Sequence, residues 1–546
     1  MIAAWNAADV RAAEAPLLEA GAPLMERASF ALALHVLEDV RARQRHVRGT
    51  RVVLLVGAGN NGGDALHAGA ALARRGLRVD AVLTSDRAHP AGLAALRAAG
   101  GVVVDLARAP ERLRAVAADV ARADVVVDGL VGIGARGPLR GLPADLVTAL
   151  AGAAAPTDTV GMESPGLRGG DAGYSIPTTG GGRPWVVAVD LPSGIGADDG
   201  TLPGPVLPAD RTVTFGAAKP GLVLPPAARV VGDLTVVDIG LDLTGPPAVH
   251  RLVPDDVASA WPVPGPADHK YTRGVVGLVA GTAAYPGAAV LAASAAVRTG
   301  AGMVRYRGPD AVGRSVVAVR PEVVVGPGRV QSWVVGPGVP SGPDQPAGAD
   351  DGQHERGGAG LAAARGDLAG MGDPAPAVVD AGGLALLGDR CPPWFVLTPH
   401  AGELTTLLRS HGEDVRRRDV EAAPLRWARR AHELTGATVL LKGGVTVVVG
   451  PSVAYAQADA PGWLATAGAG DVLAGLLGAM LAARSTEVVE RPALAAEVAA
   501  AAALVHGHAA HRANPGGPVS ALDVAEAVPA AVAGLLASPA TTVPTR

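Results

Sequence analysis

The stretch Thr466-Ala467-Gly468-Ala469-Gly470-Asp471-Val472-Leu473 has almost no side chain until its aspartate, and an apolar run to Ala483 follows. That order predicts a loop delivering the start of a helix. Gly468 and Gly470 let the backbone approach a ligand closely, the free N–H groups of a first helical turn favour an anion, and Asp471 stands beside whatever they hold. A phosphoryl group meeting a hydroxyl suits the arrangement: the carboxylate takes the hydroxyl proton while the glycine turn stabilises charge on the phosphate. A plain Asp-capped helix is the bland reading of so short a pattern, and its company elsewhere in the chain decides between the two.

That company is of two kinds. In the first half, Asn60-Asn61-Gly62-Gly63-Asp64, Asp128-Gly-Leu-Val-Gly-Ile-Gly134 and Asp190-Leu-Pro-Ser193-Gly194 each follow an apolar run. Paired Asn side chains, Asp128 and Ser193 offer the oxygen donors that a hard cation prefers. The first stretch has the glycines of a phosphate loop but neither G-x-G-x-x-G nor a Walker lysine, so the ordinary nucleotide-fold labels do not fit. In the second half stand Tyr285-Pro-Gly-Ala288, Gly336-Pro-Gly338, Thr398-Pro-His400-Ala-Gly-Glu403 and Lys442-Gly443-Gly444-Val445-Thr446. Taken alone, His400 reads as a helix cap and Lys442 as a solvated strand end.

The elements carrying these groups alternate. Residues 1–40 read as helical, with an interruption at Pro16. Apolar strands then begin at Arg51, Leu77, Val102, Val125, Val186, Arg211 and Arg229, with Asn60–Asp64 as the loop into a helix ending near Arg75. This is the pattern of a doubly wound, Rossmann-like parallel sheet, whose ligands sit at the carboxyl ends of its strands. Residues 151–184 turn to Gly, Pro, Ser and Thr and read as a surface insertion. The first domain spans 1–245, and the Pro-rich segment 246–268 reads as a linker. A second α/β domain, 269–546, restarts the pattern with strands at Val275, Trp333, Ala377, Phe395 and Thr438, a low-complexity loop over 339–360, and helices over 493–511 and 521–535.

The whole-chain properties narrow the partners. At 546 residues the chain exceeds the ~250 to 300 at which one core stops growing, so two domains are the simplest division. Lys plus Arg is 47 against 51 Asp plus Glu, a net charge of -4, which leaves no basic face for nucleic acid. The single cysteine, Cys391, excludes an intramolecular disulfide and reads as inert, and no signal-peptide order opens the chain, so a cytoplasmic protein is expected. Gly274–Val297 lacks charge, yet its central Gly, Thr and Pro residues fit a strand, a loop and a helix better than a membrane span. Small-molecule partners, no membrane and room for a homo-oligomer follow.

The first-half motifs resemble the NAD(P)HX epimerase domain. His269-Lys270 and the second-half motifs, with Gly468-Ala-Gly-Asp471, resemble the ADP-dependent NAD(P)HX dehydratase, a ribokinase-like fold. In this order, over nearly the whole chain, they resemble the bifunctional NAD(P)H-hydrate repair family. The resemblance implies epimerisation of R and S NAD(P)HX and dehydration of the S form to NAD(P)H, with release of AMP and phosphate. It implies K+ at Asn61, Asp128 and Ser193. Hydrate would be bound by Asn60, Asn61, Gly62, Gly63 and Asp64, by Gly132, Ile133, Gly134, Ala135, Arg136, Gly137 and Pro138, and by Asp190, which doubles as acid/base. In the dehydratase, Ala288, Gly338, His400 and catalytic Asp471 would contact the hydrate. Lys442, Gly443, Gly444, Val445, Thr446 and Gly470 would bind ADP, the phosphoryl donor, with Mg2+. The family's Asp-Ala-Asp reads Asp380-Ala381-Gly382 here, one carboxylate fewer. The rival is a ribokinase-like vitamin or sugar kinase, using ATP, fused to a non-catalytic module that binds a nucleotide or a protein.

Overall fold

The computed structural model describes every residue except 44–45, 136, 154–182, 341–351, 367–373 and 538–546. Most of the expected insertion therefore lies outside the described residues, as does Arg136. The chain forms two compact units, Ala3–Ala248 and Val249–Arg546, with Met1–Ile2 grouped with the second.

After a short strand β1 (Ile2–Ala4), the first unit contains β2 (Arg51–Val56), β3 (Arg78–Leu83), β4 (Val102–Asp105), β5 (Val125–Gly129), β6 (Trp185–Val189), β7 (Arg211–Phe215) and β8 (Asp233–Val237). They form one sheet in the order β4-β3-β2-β5-β6-β7-β8, parallel throughout. Apolar side chains alternate along β2 between two cores. Val52, Leu54 and Val56 pack with helices Leu24–Ala42 and Asn60–Arg74, while Val53 and Leu55 pack with Val116 and Leu146 on the other side. Burial on both faces is what makes the strands read as continuous apolar runs. The strand order reverses between β2 and β5, and ligands of open α/β sheets sit in that crevice.

The second unit is built on one large sheet. Its own strands are β9 (Val249–Arg251), β10 (Val275–Val279), β11 (Met303–Tyr306), β12 (Val324–Val325), β13 (Ser332–Val335), β14 (Ala377–Val379), β15 (Phe395–Leu397), β16 (Thr438–Leu441), β17 (Thr446–Val449) and β18 (Ala454–Gln457). The order β9-β18-β17-β16-β15-β14-β13-β10-β11-β12 is parallel from β16 to β12, and β17 is antiparallel to both neighbours. Helices Pro286–Thr299, Ala469–Ala483, Ala493–Ala513 and Ala521–Ala537 pack into its main core. Ala493–Ala513 is long and apolar enough to cross a bilayer, but it is largely buried in this unit. Gly274–Val297 divides into β10, a turn and a helix, as expected.

Five local expectations are corrected. Pro16 does not interrupt its helix, which runs Ala7–Glu19; so near the C-terminal end, one lost backbone donor is absorbed. The Asn60–Asp64 segment is the first turn of helix Asn60–Arg74, not a loop. Ala227–Val230 is a 3-10 turn and the last strand starts only at Asp233. The 246–268 linker contains β9 and helix Pro254–Ala260, and Leu252 and Val257 are buried in the second core, so those residues are structure and not spacer. The 339–360 loop gives way at Gln353 to a helix reaching Arg365, whose Gly360 lies against the Trp333 ring.

Candidate active sites

Both sites form at the carboxyl ends of parallel strands. In the first unit, Asp128 ends β5 and is fully buried, accepting from the Ser193 N–H at 2.9 Å, the Ser193 hydroxyl at 2.7 Å and the Leu130 N–H at 3.3 Å. Burial raises its pKa, with the Ser193 bonds pulling it down. None of these partners is a cation, so no positive charge among the described residues balances the carboxylate there. Asn61 donates to the carbonyls of Val131 at 3.2 Å and Val189 at 2.7 Å, and Val131 itself donates to Ser193 Oγ at 3.1 Å. The expected oxygen set of Asn61, Asp128 and Ser193 is thus gathered around Val131. Gly132 belongs to it, because a Cβ there would meet Asn61 Oδ1 at 2.2 Å. Ile133 packs against Leu191 and Ile195, while Gly134, Ala135 and Gly137 are exposed and Pro138 is half-buried.

Beside this set lies a charged cluster. Asp190, after β6, is a non-glycine residue at φ 66°, a left-handed backbone that costs about 1–3 kcal/mol and is held by its surroundings. Its Oδ1 accepts from Lys219 Nζ at 2.5 Å and from Thr214 Oγ1 at 3.0 Å. Asp64 is buried, and its Oδ1 has no hydrogen-bond partner among the described residues. Burial first, then the charges of Asp190 and Glu14, push Asp64 up to about 8. Glu14 is itself raised by burial while facing Lys219 and Asp190. Asn60, at the start of the helix, is exposed, and Gly62 and Gly63 are buried.

In the second unit, Asp380, Thr398 with His400, and Lys442 follow the adjacent strands β14, β15 and β16. Lys442 Nζ binds Asp380 Oδ1 at 2.6 Å and stands 3.8 Å from Glu403 Oε2, while Thr398 Oγ1 donates to Asp380 Oδ1 at 2.8 Å. Burial alone would lower Lys442, but Asp380 and Glu403 outweigh it and raise it. Asp471 lies in the first turn of helix Ala469–Ala483, entered through Gly468 at φ 87°. Burial first, then the charge of Asp380, lifts it to about 7, with Lys442 pulling against them. A Cβ on Gly470 would come 3.3 Å from Lys442 Nζ, so the glycine turn does border this cluster.

The remaining second-unit residues divide. Ala288 and Gly338 meet, since a Cβ on Gly338 would lie 2.4 Å from that of Ala288. Helices Pro286–Thr299 and Ala469–Ala483 touch where Gly475 leaves room for the Ala292 carbonyl, one turn after Ala288 and one turn after Asp471 respectively. His400 caps helix Ala401–Ser410, accepting from the Glu403 N–H at 3.1 Å, which leaves its ring exposed. Gly443 and Gly444 make the turn between β16 and β17, ahead of buried Val445 and half-buried Thr446. At Gly382 a side chain is excluded, because a Cβ would meet the Val339 carbonyl at 2.3 Å. Cys391 is buried and raised by burial to about 11, in keeping with an inert thiol.

Sequence reasoning left Lys219, Thr214, Glu14, Asp380 and Glu403 outside the sites. One signal was available for the lysine. The chain has three lysines among its 47 cationic residues, Lys219, Lys270 and Lys442, and two of them sit in these clusters.

A family profile described as NAD(P)H-hydrate dehydratase matches residues 276–529. Another, the YjeF-related protein N-terminus, matches residues 21–221. The chain is 42% identical over 489 residues to the bifunctional NAD(P)H-hydrate repair enzyme Nnr of Mycobacterium tuberculosis, covering 87% of this chain and 88% of that one. It is 40% identical over 531 residues to the protein of the same name from Mycobacterium leprae, covering 94% of each. An NAD(P)H-hydrate epimerase of Clavibacter michiganensis subsp. michiganensis is 45% identical over 243 residues, covering 44% of this chain and 92% of that one.

Proposed function

This chain belongs to the bifunctional NAD(P)H-hydrate repair enzymes, and from that membership we propose how its residues divide the work. The protein interconverts the epimers of hydrated NADH and NADPH and dehydrates the S epimer to NAD(P)H in a nucleotide-dependent step. A vitamin or sugar kinase is set aside with that membership.

The dehydratase reading is carried by one observation: the Asp471 carboxyl stands in the first turn of a helix entered through a glycine loop, against the Lys442–Asp380 pair. The hydrate bears a hydroxyl on a carbon next to its ring nitrogen, and hydroxide leaves poorly. Asp471 takes the hydroxyl proton while that oxygen attacks the terminal phosphorus of ADP, which gives AMP and a phosphorylated hydrate. The nitrogen lone pair then expels phosphate, and loss of a ring proton restores the double bond. Lys442, with the turn of Gly443, Gly444, Val445 and Thr446 and with Gly470, holds the nucleotide phosphates; Ala288, Gly338 and the exposed ring of His400 border the hydrate. When bound, Mg2+ supplies charge to the ADP phosphates. An ion carried in on a nucleotide needs only one or two protein carboxylates, which Asp380 and Glu403 would provide without the one lost at Gly382.

In the first unit the fully buried Asp128, without a cationic partner among the described residues and next to the Ser193 hydroxyl and the Asn61 amide, fits a monovalent cation. These three residues would hold K+, which when bound supplies a fixed positive charge at the crevice. The turn of Asn60 to Asp64 and the segment Gly132 to Pro138 bind the hydrated dinucleotide, and Asp190 acts on the carbon bearing the hydroxyl. A cytoplasmic location suits such a substrate, and a homo-oligomer is compatible with these roles. The test is absorbance at the reduced-nicotinamide band after adding enzyme and ADP to purified hydrate. Growth of the band from both epimers supports the reading; no growth with either ADP or ATP overturns it.

A further inference from the structure

Lys219 follows β7 in the loop Gly216-Ala-Ala-Lys219-Pro-Gly, with nothing chemical beside it in sequence. In the fold its side chain is only 1% exposed. The ammonium donates to Asp190 Oδ1 at 2.5 Å, Thr214 Oγ1 at 3.0 Å and the Phe215 carbonyl at 3.1 Å. All three N–H bonds are therefore committed, and none is left for a substrate. Asp190 Oδ1 accepts from both Lys219 and Thr214, whereas Oδ2 accepts from no described residue. The backbone of Asp190 is held at φ 66° to present this carboxylate. Asp64 adds a second buried carboxyl, with an oxygen unpartnered among the described residues.

Composition speaks separately. A chain that writes nearly all of its 47 cations as arginine keeps a lysine here. Three acceptors converging on one nitrogen suit a compact ammonium, whereas a planar guanidinium spreads five donors over a fork.

We propose that Lys219 is the positioning residue of the epimerase reaction, pinning Asp190 Oδ1 so that Oδ2 faces the reacting carbon, with Asp64 as the opposing acid. This rests on the first unit being the epimerase. In the forward step the carbon–oxygen bond breaks with its electron pair on oxygen, Asp64 supplies a proton, and water departs. The ring-nitrogen lone pair forms the iminium. Water then adds to the other face, forms the new carbon–oxygen bond, and yields its surplus proton to Asp190 Oδ2. One proton has moved between the two carboxyls, and its return through solvent resets the site. Burial, then the charges of Asp190 and Glu14, raises Asp64 to about 8, which agrees with an acid that carries its proton at neutral pH.

The experiment compares the full-length protein with Lys219→Met, Asp190→Asn and the double variant. Epimer interconversion is followed by chromatography, with kcat and KM separated, and dehydration of the S epimer with ADP counts active molecules. The expected result is a fall of about 10²-fold or more in epimerase kcat for Lys219→Met, with KM nearly unchanged. The double variant should be no slower than Asp190→Asn alone, because a residue acting through Asp190 has nothing further to lose. Wild-type-like kcat in Lys219→Met, a loss confined to KM, or additive losses in the double variant overturns the proposal and leaves the epimerase reading standing. A wild-type protein without epimerase activity overturns both. If Lys219→Met fails to fold, Thr214→Val takes its place: it must lower kcat at constant KM, and wild-type kcat in that variant overturns the proposal.

Discussion

Asp471 owes its pKa of about 7 to burial first and the Asp380 charge second, with Lys442 opposing them. As a base it must be unprotonated, so the dehydratase rate should climb with pH up to about 7 and level off above it. Asp471→Asn should lower that rate by roughly 10²- to 10⁴-fold, the usual contribution of a general base, while epimerisation persists; both are read on one preparation by absorbance and chromatography. Asp64 gives a stability prediction of definite sign. Its pKa is about 8 in the fold against an ordinary aspartate value of 3.8, so between those pH values the native state binds a proton that the unfolded chain has lost. Stability therefore falls as pH rises through that window. Asp64→Asn removes the penalty, and its gain in Tm over wild type should be larger at pH 8 than at pH 5. Asn61, Asp128, Ser193 and Asp471 were legible in sequence because each stands in a cluster of unusual neighbours. Lys219 was not, since its partner Asp190 lies 29 residues away and only the fold joins them.

At the scale of elements, the parallel strands were legible because burial on both faces leaves uninterrupted apolar runs such as Val52–Val56. Helix starts were harder. Asn60-Asn61-Gly62-Gly63 has poor helix propensity, and it is helical because Gly62, Gly63 and Asp64 pack inward, which no local pattern announces. Proline misled twice, at Pro16 and at Pro254, where it opens a short helix instead of a spacer. Gly475 places Asp471 relative to Ala288, since a Cβ there would lie 2.1 Å from the Ala292 carbonyl. Gly475→Ala would gain helix propensity on an isolated helix, yet here it should destabilise by about 1–3 kcal/mol through overpacking. The dehydratase kcat should fall with it. Thermal unfolding and rate measurements on that variant check both, and an unchanged rate would mean that the two helices do not set the site.

For the whole molecule, two α/β units were foreseeable from length and from the second start of the strand pattern, and the expected end of the first at 245 lies close to the observed division after Ala248, but the structure within the 246–268 segment was not foreseeable. Val249–Arg251 and Val257 join the second core through residues far along the chain, such as Tyr455, so a Pro-rich composition concealed them. Separate cores predict two calorimetric transitions in the intact protein. ADP at about 100 times its Kd should stabilise only the second unit, by about 2.7 kcal/mol, and a scan with and without nucleotide distinguishes this from a single shared transition. The scarcity of lysine has a practical consequence. Protein grown on 13C-lysine should give three ε-methylene NMR signals, with exposed Lys270 as an internal reference and buried Lys219 and half-buried Lys442 each reporting from one of the two proposed centres. Titration with ADP should move the Lys442 signal and leave that of Lys219 in place, so the natural composition already supplies a spectroscopic label for each half of the repair cycle.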